Sequence, residues 1–160
     1  MSIAAVSALA ASTATAHAEP AYPELGAGCA PEFAGAMTLL PDEETYAACR
    51  DADGRAVWEA VQLPFEPNDT WLSYGPEITL HGQGMRNPNV TSGRWLATPT
   101  DPPTDPPTVC RAEQQTVVEA GVLSEPQVSE SDPGSELPVE FQPKLFYLTL
   151  SGNCLWTREG

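Results

Sequence analysis

Few side chains in this sequence have the types and spacing that chemistry requires. His81 is followed by Gly82-Gln83-Gly84-Met85-Arg86. Histidine titrates near neutral pH, and an arginine across two flexible glycines adds a fixed positive charge, so the pair has the elements of a general base beside an anion clamp. The competing reading is a polar turn residue at a strand end. No nucleophile accompanies His81 in a recognisable frame: the chain has no G-x-S-x-G elbow, and Lys144, its one lysine, has Phe141 where an S-x-x-K pair needs serine. None of the 22 acidic residues stands in a context that marks a glycosidase carboxylate pair. No catalytic residue and no cofactor are therefore assigned, and His81 and Arg86 are kept as site candidates.

Metal chemistry has two possible footholds. Asp51-Ala52-Asp53-Gly54 imitates the start of a calcium loop, but the twelfth loop position, which needs a bidentate glutamate, is Gln62. The segment reads instead as a hairpin turn. Cys29, Cys49, Cys110 and Cys154 are separated by 19, 60 and 43 residues without a C-x-x-C knuckle, which argues against zinc. An even count in an oxidising compartment gives two disulfides in one of three connectivities. Pairing Cys29 with Cys49 and Cys110 with Cys154 respects the composition shift between the two halves, and each bond would contribute roughly 3–4 kcal/mol by restricting the unfolded chain.

The compartment is read from the N-terminus. Residues 2–18 are small and apolar and end in Ala16-His17-Ala18, a signal-peptidase pattern, although no Lys or Arg precedes the apolar run. Cleavage after Ala18 is expected. The run is too short to span a membrane, and no other stretch approaches the required length. A mature chain in the medium or cell envelope is the expectation, without a transmembrane segment.

Seven basic residues against 22 acidic ones give a net charge of −15. Such a charge repels phosphate backbones and anionic lipid surfaces, so nucleic acid is not expected as a partner. A protein or small ligand outside the cytoplasm is. The chain also has 17 prolines in 160 residues. Beyond residue 41 only the windows 42–63, 108–125 and 144–160 run more than a dozen residues without one, which excludes a helix bundle.

The elements that must position these residues are short strands. A short helix is expected around Phe33, Met37, Leu39 and Leu40, then a hairpin with arms 45–50 and 55–62 around the Asp-Gly turn. After a break at residues 63–69, strands are expected at 71–74, 78–81, 93–98, 115–120, 137–141, 145–150 and 155–157, the clearest alternation being Phe146, Leu148 and Leu150. The tandem repeat over residues 100–108 is an extended proline-rich loop. Trp58, Trp71, Trp95 and Trp156 are expected in the core or against the disulfides. The fold class is thus mainly β: a disulfide-stapled β-sandwich or barrel-like domain with little helix, built of an N-terminal disulfide-bonded portion at 19–67 and a β-rich domain at 68–160 with the proline-rich loop 99–108.

Gly93-Arg94-Trp95-Leu96-Ala97, Cys110 and the closing 148–156 segment resemble the small exported proteins of mycobacteria and related actinobacteria. The resemblance covers about residues 71–158. It implies a disulfide-stapled β-domain outside the cytoplasm and transfers no catalytic residue. The functional expectation is non-enzymatic binding or a structural role; the alternatives are a secreted hydrolase using His81 and Arg86, or an inhibitor of an extracellular enzyme that presents its stiff proline loop.

Overall fold

The computed structural model describes residues 23–62, 66–75, 77–100 and 105–160. The signal segment 1–18 and the centre of the proline-rich repeat, 101–104, lie outside the described residues, as do positions 63–65 of the expected break.

The described chain forms twelve strands: β1 Met37–Leu39, β2 Tyr46–Ala52, β3 Arg55–Ala60, β4 Thr70–Ser73, β5 Ile78–His81, β6 Gly93–Pro99, β7 Arg111–Glu119, β8 Val122–Leu123, β9 Gln127–Glu130, β10 Leu137–Phe141, β11 Leu145–Ser151 and β12 Cys154–Arg158. They make two sheets. The larger runs β10-β6-β12-β4-β1-β2-β3; the smaller runs β5-β11-β7-β8, with β9 also on β7. All pairings are antiparallel except β1 with β4. The architecture is sandwich-like, mainly β, and stapled by two disulfides.

Period-2 alternation explains which face of each strand is buried. Leu148 and Leu150 of β11, Ala112 of β7 and Leu80 of β5 point from the smaller sheet into the space between the sheets. Trp71, Trp95, Ala97 and Trp156 meet them from the larger one, and all eight are fully buried. Phe141 stacks on Trp95 with ring centroids 5.1 Å apart. Trp156 donates from Nε1 to Ser73 Oγ at 2.8 Å, so its one polar atom is satisfied in the core. Cys110–Cys154 lies in this layer, with both sulfur-bearing residues fully buried.

A second apolar cluster sits on the opposite face of the larger sheet, where Ala47, Cys49, Trp58 and Leu72 are covered by Cys29 and Phe33. The covering segment runs along the β3 edge: Gly26 N donates to Trp58 O at 2.8 Å, Trp58 N to Ala27 O at 3.0 Å, and Cys29 N to Ala56 O at 3.0 Å. An edge strand that would otherwise present unpaired backbone groups is thereby closed. Cys29–Cys49 pins the segment in place. Both disulfides join the cysteines in the expected pairs. The strands of the 19–67 portion, β1–β3, continue the same sheet as β4, β6, β10 and β12 of the 68–160 portion.

The short helix expected around Phe33–Leu40 is not formed. Pro31–Phe33 is a single 3-10 turn, and the chain then passes through Gly35 at φ 79° and enters β1. The positive φ of Gly35 ends the helical path, and β1 gains a strand partner on each side. The Asp-Gly hairpin forms as expected, with Asp53 at φ 55°, Gly54 at φ 81°, and Asp51 Oδ1 accepting from Gly54 N at 2.8 Å.

Candidate functional site

His81 ends β5, and the residues after it fold back on that end. Its N–H donates to Asn89 Oδ1 at 2.7 Å, and its carbonyl accepts from the N–H groups of Asn89 at 2.9 Å and Val90 at 3.2 Å. Asn89, 2% exposed, is the clamp that closes the loop. The glycines in the loop are sites of close approach, not the flexible flank expected from the sequence. Gly82 N donates to Phe146 O at 3.0 Å and Gly84 N to Leu145 O at 2.7 Å. A Cβ at Gly84 would lie 2.7 Å from the Lys144 carbonyl oxygen, and one at Gly82 would overlap Leu145 itself. Ser92 completes the seam, donating from Oγ to Gln142 O at 2.7 Å and from N to Gln83 Oε1 at 3.1 Å.

This seam brings together groups far apart in sequence. The backbone of Lys144 lies against Gly84, two residues before Arg86, at the corner where the 82–92 loop meets the turn between β10 and β11. Beside it, Tyr147 stands opposite His81 on β5 and Gln115 on β7. The His81 and Tyr147 ring centroids are 6.1 Å apart, and Phe146 meets Tyr147 edge-on at 4.7 Å. These three rings are partly exposed, while Arg86 and Lys144 are exposed.

The charge distribution sets this corner apart. Residues 78–100 and 141–158 contain none of the 22 acidic residues, yet they carry Arg86, Arg94, Lys144 and Arg158, four of the seven basic ones. Arg158 pairs with Asp69 at 3.6 Å, and Arg94 stands opposite Glu140 across the β6–β10 ladder. Among the described residues, Arg86 and Lys144 make no ion pair. Arg111 is the contrast: it donates to Glu113 at 2.8 Å and Glu130 at 3.1 Å, and the hydrogen bond to Glu113 leads in raising its pKa further.

His81 and Arg86 share a loop, but the imidazole meets the Tyr147 ring, and the hydrolase alternative requires it to face a nucleophile or an orienting carboxylate. Two grooves among the described residues lie away from this corner. One groove of about 420 Å³ is lined by Pro23, Cys29, Phe33, Trp58 and Leu72, beneath the N-terminal segment. Another of about 410 Å³ lies over Arg94, Pro138 and Glu140. Among the described residues no group of three His, Cys, Asp or Glu side chains is placed to hold a metal ion.

His81 and Arg86 stand out as candidates in the sequence; Lys144 does not, because contacts of its backbone with Gly84 and with Val117 of β7, both remote in sequence, place it here. The signal that marks all three is the acid-free run on both sides of the seam. No protein-family model matches the chain, and no curated protein or solved structure is significantly similar to it.

The seam predicts opposite outcomes for two neighbouring substitutions. His81→Ala changes stability by less than about 0.5 kcal/mol, because the backbone makes the loop contacts. Asn89→Ala strips the His81 N–H of its acceptor in a buried place and costs about 1–3 kcal/mol. Thermal melts of the two variants check the order.

Proposed function

We propose that this protein is an exported binding module of the cell envelope or medium, without catalytic activity, which holds its ligand at the corner formed by the 82–92 loop and the start of β11. The observation that carries this reading is the seam where two runs without acidic residues meet in an acidic protein: they carry the exposed Arg86 and Lys144, which make no ion pair among the described residues, and the partly exposed rings of His81, Phe146 and Tyr147. Specific contacts hold it: two glycines that admit no Cβ, a buried asparagine clamp and a serine bond across the seam. Such rigid support lowers the entropy lost when a ligand binds.

Several observations support the extracellular location. Two disulfides persist where the surroundings are oxidising. No helix among the described residues is long and apolar enough to cross a membrane. The A-x-A pattern at Ala16–Ala18 and the resemblance to exported actinobacterial proteins point the same way.

Co-sedimentation with envelope polysaccharide purified from the source organism tests the reading. The intact protein is expected in the pellet with no soluble fragment released, and the double variant Arg86→Gln/Lys144→Gln in the supernatant. Release of fragments would show an enzyme; equal retention of both proteins would place binding elsewhere.

A further inference from the structure

We infer that the groove beneath the N-terminal segment is a peptide site, which takes an extended proline-rich segment of another protein with a basic residue beside Glu24. It lies on the outer face of the larger sheet, separate from the corner proposed above and independent of it. Its lining, a free donor and its charge lead to that occupant.

The groove, about 420 Å³, is lined by Pro23, Cys29, Phe33, Trp58 and Leu72, with Glu24 the one charged residue among the described residues that line it. The Phe33 and Trp58 rings have centroids 6.3 Å apart and are tilted by 36°. A concave apolar lining of this kind receives proline rings, whereas the hydroxyls of a sugar would find few polar partners there.

The donor is the indole of Trp58. Trp71, Trp95 and Trp156 give their Nε1–H groups to Asn68 O, Thr91 O and Ser73 Oγ. The Trp58 Nε1–H has no acceptor among the described residues, although Trp58 is only 4% exposed. No fully buried side-chain nitrogen or oxygen among the described residues lacks a partner, so this N–H is open to an acceptor from outside. The backbone beside it is already in use, since Trp58 N donates to Ala27 O and Trp58 O accepts from Gly26 N. A peptide cannot add there as a strand; it must bring a carbonyl and ask for few acceptors in return. Proline-rich chain meets both conditions, because proline has no N–H and the polyproline II form leaves its carbonyls free of internal hydrogen bonds.

Charge sets the flank of the peptide. Arg55 reaches Gly28 from the β3 side, its guanidinium 4.0 Å from the place a Gly28 Cβ would take, but it makes no ion pair with Glu24. The Glu24 carboxylate is thus available to a ligand cation, in a chain whose net charge of −15 repels acidic segments. The same repulsion excludes the T-D-P-P repeat of a second copy, which carries Asp101 and Asp105.

Amide and indole chemical shifts of the isotope-labelled, disulfide-intact protein test this, with a short blocked peptide of arginine followed by prolines as the probe. The peptide is expected to move the Trp58 indole signal and the amides of residues 24–33. Its counterpart with alanine for proline should bind about tenfold more weakly, having more chain freedom to lose. Glu24→Gln should weaken the proline peptide about threefold, as loss of one exposed ion pair does, at an unchanged melting temperature. Trp58→Phe keeps a ring without the donor and should weaken it about tenfold, the other three indole signals reporting that the fold is intact. If that variant does not fold, Glu24→Gln and the peptide pair carry the test.

An unmoved Trp58 indole signal, or equal binding of the proline and alanine peptides, would overturn the inference. Equal shifts with argininamide alone would make the groove a site for small cations and overturn the peptide assignment. Binding unchanged by Glu24→Gln would overturn the place given to the basic residue. Arg86→Gln/Lys144→Gln should bind the peptide as the intact protein does, so failure at either site leaves the other reading standing.

Discussion

Cys154→Ser is expected to lower stability by about 2–5 kcal/mol, which for a domain of this size is a fall in melting temperature of about 6–15 °C. Cys154 begins β12, the strand between β4 and β6 at the centre of the larger sheet. Its partner Cys110 precedes β7, at the centre of the smaller one. The bond therefore links the two layers directly. The chain beside it is held as closely: Gly152 has φ 88°, and a Cβ there would run into the Val109 carbonyl. Ser131 Oγ accepts from Cys110 N at 3.0 Å. Serine at 154 leaves a hydroxyl and a free thiol where both positions are fully buried.

The other disulfide makes the informative comparison. Its loop is shorter, 20 residues against 44, but the entropy difference that follows is only about 0.7 kcal/mol. What differs is the structure beneath it. Cys29 is partly exposed, and releasing it frees the edge segment 23–30 and uncovers Trp58, without parting the two sheets. Cys29→Ser should thus cost less than Cys154→Ser and should shift tryptophan emission to the red under native conditions. Melting curves and fluorescence of the two variants decide this. A Cys29→Ser protein less stable than Cys154→Ser would show that the second apolar cluster holds the fold.

Trp156→Ala should be comparably severe, at about 3–5 kcal/mol. Trp156 is fully buried in β12, its ring centroid is 6.4 Å from that of Phe141, and it bonds Ser73. Truncation opens a cavity between the sheets and removes a hydrogen-bond partner from Ser73 Oγ, which itself donates to Gly152 O at 2.7 Å. Trp156→Phe separates the two effects by filling most of the space without the N–H; it should cost about 1–2 kcal/mol. Urea midpoints measure both. A phenylalanine variant as unstable as the alanine one would assign the loss to the hydrogen bond in place of packing.

The strands whose faces differ in polarity were legible. Leu137–Phe141 and Ile78–His81 form over the expected residues, because one face of each packs into the core while the other meets solvent. The expected strand at 115–120 runs instead from Arg111 to Glu119. Its first half alternates Arg111, Ala112, Glu113 and Gln114, with Gln114 buried and bonded through its side chain to the backbone at Glu140 and Gln142. A buried glutamine hides the period that a valine would show. β8 and β9 gave no sequence signal because they pack little: Val122 is 44% and Val128 49% exposed. Their pairing is dictated by β7, a long strand whose free edge accepts them.

The candidate site was half legible for a similar reason. His81 and Arg86 share one glycine-containing loop, so spacing alone relates them. Lys144 and Tyr147 join them through the approach of Gly82 and Gly84 to the β10–β11 turn, a contact between segments some sixty residues apart in sequence. Reading the glycines as flexible missed this, since an absent side chain serves close packing as well as motion.

The most direct test of the central claim is the protection footprint left by bound envelope polysaccharide in hydrogen exchange of the intact protein. Binding at the corner predicts slowed exchange over residues 81–86 and 142–147, abolished in Arg86→Gln/Lys144→Gln. Protection confined to the N-terminal segment 23–36, or to the proline-rich loop 99–108, would contradict it.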